Sequence, residues 1–400
     1  MINHWFEPVF PYNLINDLGS YSIVLLFFIY FYQKKIIEKK HLILFSVLML
    51  TPFLFNGFLF HWTYFPDQSK YLGETNEARE YIFDIFSGNG FKFPTYTEIL
   101  SDIKLDTAAF VYAFSPILSF DTYKSIAIWN RGLFLFMVIF FIKNKFFKPD
   151  LTLLLIVSPS LIFFSSVSLR DNLVIISMLM IIYFFFQKKF FLLFLSITFL
   201  AMVKLQNLMI IIFFLIFKLL FSVNKNKPMH FFGILFFLTC LIFYNNIVTN
   251  NIITNNFNLL IDEINRIRAG FFLEEYGAYQ SFSTEKISKN YSLDISSKSI
   301  IMVLSEFINF VFSPIQKLSN IFNALIFLEG IFFYCIFYYL FSRNFIKFTK
   351  ISMIWLCTLI LSLLMYSIVI INDAQIHRYK IPIMIFSIYG YASHLKKVKK

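Results

Sequence analysis

Apolar runs long enough to cross a bilayer recur from one end of this chain to the other, as in "YSIVLLFFIYF", "GLFLFMVIFFI" and "MIIIFFLIFKLLF". A chain of 400 residues can bury one soluble core, but it cannot hide this many spanning-length runs from water. Composition agrees: 58% of residues are hydrophobic, only 14% are charged, and the mean hydropathy is +0.70. The fold class expected is all-α, a polytopic transmembrane helical bundle, and a soluble fold is excluded.

The formal net charge of +12 does not point to nucleic acid, because the lysines fall in short clusters between the apolar runs. Those clusters are "KKIIEKK" (34–40), "KNKFFK" (143–148), "QKK" (187–189), "NKNK" (224–227), "RNFIKFTK" (343–350) and "KKVKK" (396–400). Excess Lys and Arg in short loops marks the cytoplasmic side. Threading the chain through them gives about eleven spans, near 18–33, 41–61, 125–142, 150–168, 172–186, 190–203, 207–222, 229–245, 321–341, 351–371 and 379–394. The N-terminus then lies outside and the C-terminus in the cytoplasm. No basic n-region precedes the first apolar run, so no cleavable signal is expected.

This threading makes residues 1–400 a single integral membrane domain with two long outer loops, about 61–124 and about 245–320. The first holds "FPDQSKYLGETNEAREY" and the apolar piece "TAAFVYAFSPILSF", read as an interfacial or re-entrant helix. Glu74, Glu77, Glu80 and Asp84 follow one another at helical spacing and read as the solvated face of an amphipathic helix. The second loop opens on an Asn-rich run and closes on "SIIMVLSEFINFVFSPIQKL", again placed in the outer interface. Cys240, Cys335 and Cys357 fall within spans, far in sequence from any His or Cys partner. Neither a disulfide framework nor a metal site is expected, and no glycine-rich nucleotide motif occurs.

Polar chemistry concentrates in three short turns expected on the outer face. They are "SSVSLRDNL" with Arg170 and Asp171, "AMVKLQNLM" with Lys204 and Gln206, and "INDAQIHRYKIPI" with Asp373, His377, Arg378 and Lys380 before Pro382. Arg170, Lys204, Arg378 and Lys380 can converge there on an anion at headgroup depth, such as a polyprenyl phosphate or diphosphate. Arg131, about two turns into its span, can join that cluster or snorkel outward. Equally, basic residues at helix ends commonly meet lipid headgroups, and Arg170 beside Asp171 can be a capped turn. Glu329 in "LIFLEGIFF" is an intramembrane acid, either functional or a protonated group bonded to a neighbouring helix. Asp67, the first carboxylate after the second span, is placed to act as general base on a sugar hydroxyl while cations stabilise the departing phosphate.

The loop "PDQSKYLGETNEA" after an early span, followed by a span bearing Arg131, resembles the first loop of the C-type superfamily of polyprenyl-phosphate-dependent glycosyltransferases. "PSLIFFSSVSLRDNL" and "NDAQIHRYKIPI" resemble elements of bacterial O-antigen and exopolysaccharide repeat-unit polymerases, and the extra N-terminal span fits that group better. The resemblance implies a catalytic Asp67 and outer-face arginines that handle lipid-linked sugar. It further implies a substrate carried on undecaprenyl diphosphate, no cofactor, and envelope polysaccharide-assembly proteins as partners in a bacterial inner membrane. A monosaccharide transferase using a polyprenyl-phosphate sugar, a transporter or flippase for lipid-linked sugar, and a non-enzymatic envelope scaffold remain the alternatives. The one-sided gathering of charge and the lack of an internal repeat favour surface chemistry over transport.

Overall fold

Short-range signals set the helix boundaries in the computed structural model. It describes residues 13–56, 66–87, 107–117, 122–222, 264–266, 268, 297–313, 321–342, 350–370 and 373–398. Asn13, Thr122 and Ser158 each accept a hydrogen bond from the backbone N–H three residues on and so start a helix. Pro149 and Pro159 stand at first helical positions, where a missing N–H costs nothing.

Three helix ends are closed in one way. Lys35, Lys145 and Lys188 lie two residues beyond a helix with φ of 55°, 46° and 57°. The next N–H donates back five residues, from Ile36 to Phe31, Phe146 to Phe141 and Lys189 to Phe184. Each of these left-handed lysines belongs to a basic cluster, so topology signal and chain reversal share the same residues.

The described residues form helices without any strand, grouped in two compact units, 1–205 and 206–400. In the first unit the helices are α1 (Leu14–Gln33), α2 (Lys39–Leu48), α3 (Thr51–Phe55), α4 (Pro66–Ser87), α5 (Thr107–Ala113), α6 (Tyr123–Lys143), α7 (Pro149–Val157), α8 (Pro159–Ser166), α9 (Asp171–Phe186) and α10 (Phe190–Lys204). α6 is its centre: 78% of its apolar window is buried, against 22% for α1, and it packs on α1, α3, α4, α8 and α9. α7 and α8 bend by 55° at Ser158, where Pro159 cannot donate to the preceding turn. α9 and α10 pair as a helical hairpin.

A 3-10 turn, Leu205–Asn207, leads to the second unit's α11 (Leu208–Ser222), α12 (Ser297–Phe312), α13 (Ile321–Ser342), α14 (Lys350–Val369) and α15 (Asp373–Val398). α14 packs on α11, α12 and α15, and α13 on α15. Trp355 of α14 stacks on Phe214 of α11 at 4.5 Å and lies over Gly390 of α15. A Cβ on Gly390 would sit 2.0 Å from that ring, so the α14–α15 approach requires glycine there.

Five described helical runs are long and apolar enough to cross a membrane, with α10 and α11 counted as one run, Phe190–Phe221, through the 3-10 turn; there are six if the bent α7–α8 pair is one span. They are the mark of a multi-pass membrane protein. The expected spans 190–203 and 207–222 form one such run, and the rest of the expected eleven falls on shorter helices such as Asp171–Phe186 and on the span near 229–245, which lies outside the described residues.

Two local expectations need correction. "INDAQIHRYKIPI" is not a turn: His377, Arg378, Lys380 and Pro382 lie inside α15, which runs from Asp373 to Val398. Pro382 removes the N–H that would bond the Arg378 carbonyl and sets its ring against that carbonyl, yet the helix continues past the defect. Glu74 does not face solvent with Glu77 and Glu80 but is buried 3.5 Å from Lys70.

Candidate functional site

The turn from Val167 to Arg170 puts bare backbone carbonyls inside an apolar bundle, where each must find a partner. Asn130 supplies them from the middle of α6. Its amide nitrogen donates to Val167 O at 2.7 Å, Leu169 O at 3.3 Å and Phe164 O at 3.4 Å. Tyr112 of α5 donates to Leu169 O at 3.0 Å, and Asn172 returns from α9 to Asn130 Oδ1 at 2.8 Å. All three side chains are fully buried. The fourth contact comes from α4, where Gln68 Oε1 accepts from Ser168 N at 3.0 Å and Ser168 Oγ at 2.9 Å.

That contact fixes the start of α4, and with it the backbone of Asp67, to the turn that ends in Arg170. The Asp67 side chain itself lies outside the described residues, as do those of Asp84 and Asp373. Farther along α4, Arg79 caps the C-terminal end of α5, donating to the carbonyls of Ala113, Ser115 and Ile117 and to Ser115 Oγ. Half-burial pulls its guanidinium below the ordinary arginine range. α4 is thus tied to the Ser168 turn at Gln68 and to the end of α5 at Arg79.

Arg170 is the N-cap residue of α9 and half-buried, whereas Asp171 opens the helix at 1% exposure. Lys204, in the last turn of α10, places Nζ 3.1 Å from Asp171 Oδ1, closing the α9–α10 hairpin with a buried ion pair. Lys204 thus meets Asp171 within the first unit and is neutralised by it, but "AMVKLQNLM" is not a turn: the helical run Phe190–Phe221 passes through it with a single 3-10 turn at Leu205–Asn207. Arg131 is fully buried. Its Nη1 donates to Ser165 Oγ at 2.5 Å and its Nε to Leu48 O at 3.4 Å, at the C-terminal ends of α8 and α2. Those ends carry the negative poles of their helices and offset the charge. Asn130 and Arg131 thus grip one stretch, Ser165 to Leu169, from neighbouring positions.

In the second unit, Gln206 is exposed, accepting from Tyr379 OH at 2.6 Å through its side chain and from Tyr366 OH at 2.5 Å through its backbone. Lys380 is buried and donates to Ser313 O at 2.7 Å and Val311 O at 3.4 Å, capping α12. It also interacts electrostatically with the buried Glu329 of α13. His377 is buried, while Arg378 is half-buried. Arg268, itself helical, forms a bidentate pair with Glu306 of α12 and donates to Ile368 O at 2.6 Å.

Arg170, Asp171, Lys204 and Arg131 belong to the first unit, and Gln206, His377, Arg378 and Lys380 to the second. The clamps Gln68, Tyr112, Asn130 and Asn172 were not singled out from the sequence. The available signal was an amide beside each flagged charge, Asn130 next to Arg131 and Asn172 next to Asp171, within apolar runs where an amide must be bonded. Comparison with protein-family models, with curated proteins and with solved structures finds no match to this chain.

Proposed function

We propose that this protein is a membrane glycosyltransferase of cell-envelope polysaccharide synthesis, joining saccharide repeat units carried on undecaprenyl diphosphate. The observation that carries the reading is the Gln68–Ser168 contact. It ties the start of α4, where Asp67 stands, to the turn that ends in Arg170, and in this reading the first residue is the general base and the second the anion-binding group. In the reaction, the acceptor hydroxyl oxygen forms a bond to the anomeric carbon of the donor sugar and loses its proton to Asp67. The bond from that carbon to the lipid diphosphate breaks, and the departing diphosphate keeps the electron pair, held by Arg170. Lys204, neutralised by Asp171, positions the hairpin behind Arg170.

Under this reading the chain lies in the bacterial inner membrane with about eleven spans, its two long loops outside and its C-terminus in the cytoplasm. The test is the length profile of the host's surface polysaccharide on a gel. Parent, deletion, Arg170→Ala and Asp67→Asn strains are compared at matched protein levels. Collapse to single lipid-linked units in all three altered strains supports the proposal. An unchanged ladder in the deletion strain refutes it, and a ladder lacking one sugar per rung reassigns the protein as a monosaccharide transferase.

A second reading, transport of lipid-linked sugar, is favoured by one observation: the buried Glu329–Lys380 pair inside apolar helices. It predicts lipid-linked units accumulating on the cytoplasmic leaflet in the deletion strain, where polymerase loss leaves them outside.

A further inference from the structure

The second unit holds a buried polar group of residues in which several hydrogen-bonding atoms are unused. His377 is 9% exposed and Ser313 1% exposed. Neither ring nitrogen of His377, nor the hydroxyl of Ser313, has a hydrogen-bond partner among the described residues. Lys380 joins the two: its Nζ is 2.7 Å from the Ser313 carbonyl, and it lies within electrostatic reach of His377, one helical turn back on α15. Glu329 of α13 interacts electrostatically with the same ammonium.

Buried polar atoms are nearly always bonded, and these three idle ones belong to two residues flanking one lysine, His377 one turn before Lys380 on α15 and Ser313 bonded to it through its carbonyl, which marks a place built for something else. A neutral imidazole offers one donor and one acceptor, and the serine hydroxyl offers both. A hydroxyl group is the complement of each. We infer that His377 and Ser313 form a hydroxyl-binding subsite for carbohydrate, held in register by Lys380, which bonds the Ser313 carbonyl from α15. The inference rests on the glycosyltransferase reading for its source of saccharide, and it gives that reading a recognition element in the second unit, away from any bond-making residue.

The test is binding of the oligosaccharide repeat unit, released from the host's own glycan, to full-length protein in nanodiscs, measured by calorimetry. His377→Phe keeps the ring volume and removes both nitrogens, and weakens binding about tenfold or more. Ser313→Ala weakens it about threefold to tenfold, and His377→Gln, with a donor and an acceptor, stays within about threefold of the parent. The ligand-free His377→Phe protein melts no lower than the parent, because an unsatisfied buried polar group has been replaced by an apolar one. Parent-like binding in both His377→Phe and Ser313→Ala overturns the subsite, as does a lowered melting temperature of His377→Phe with binding unchanged. The two proposals fail separately. A protein that polymerises but binds this saccharide independently of His377 and Ser313 loses the subsite alone. A deletion strain with an unchanged ladder, together with His377-dependent binding, loses the polymerase reading alone.

Discussion

Replacing Lys204 by Met decides whether this lysine serves the fold or an anion. In the structure the pair is 3.1 Å long, and the two side chains retain 3% and 2% of their exposure. Methionine fills the lysine stem but leaves the Asp171 carboxylate buried without its cation. Breaking a buried pair in this way costs about 3–5 kcal/mol. Asp171 opens α9, and the positive pole of that helix returns about 0.3–1 kcal/mol, so a loss of about 2–5 kcal/mol is expected. Asp171→Asn in the same chain removes the uncompensated charge. The double variant should lie within about 1.5 kcal/mol of the parent, a coupling well above the 0.5 kcal/mol limit of additivity for independent sites. The assay is a double-mutant cycle on denaturant unfolding in bicelles, followed by tryptophan fluorescence. A Lys204→Met protein as stable as the parent yet unable to support a polysaccharide ladder would refute this reasoning and return Lys204 to the anion.

Three further outcomes follow from the packing. Gly390→Ala brings a Cβ to 2.0 Å from Trp355 Cη2 and should destabilise the second unit by about 1–3 kcal/mol, a loss relieved by Trp355→Leu and read from thermal unfolding. Asn130→Leu strips donors from the Val167 and Leu169 carbonyls and should cost about 2–3 kcal/mol. In that variant, labelling of a cysteine introduced at Arg170 should accelerate, since the turn loses its clamp. Lys145→Gly, at φ 46°, should raise stability by about 0.5–1 kcal/mol in the same unfolding assay, because glycine adopts the left-handed conformation without steric cost.

Much of the helical layout was legible because it depends on neighbours within a few residues. Spanning-length apolar runs, Pro at first helical turns and capping side chains act locally, and α1, α6, α13 and α14 fall where hydropathy put them. The basic clusters after α1, α6 and α9 marked chain reversals for the same local reason. The charged residues flagged at Arg170, Lys204 and His377 were legible as exceptions to an apolar pattern. What each one touches was not.

Composition and periodicity by themselves determined a multi-pass helical protein and the positions of its anomalous charges, since burial of apolar surface and backbone satisfaction in lipid leave few alternatives. Tertiary structure alone decided that Lys204 meets Asp171 across 33 residues and that Asn130 closes a turn 37 residues away. It alone carried α15 past Pro382 and left His377 and Ser313 with idle polar atoms beside one lysine. Those pairings depend on which helix faces meet, and a hydropathy pattern identifies a helix without naming its neighbour.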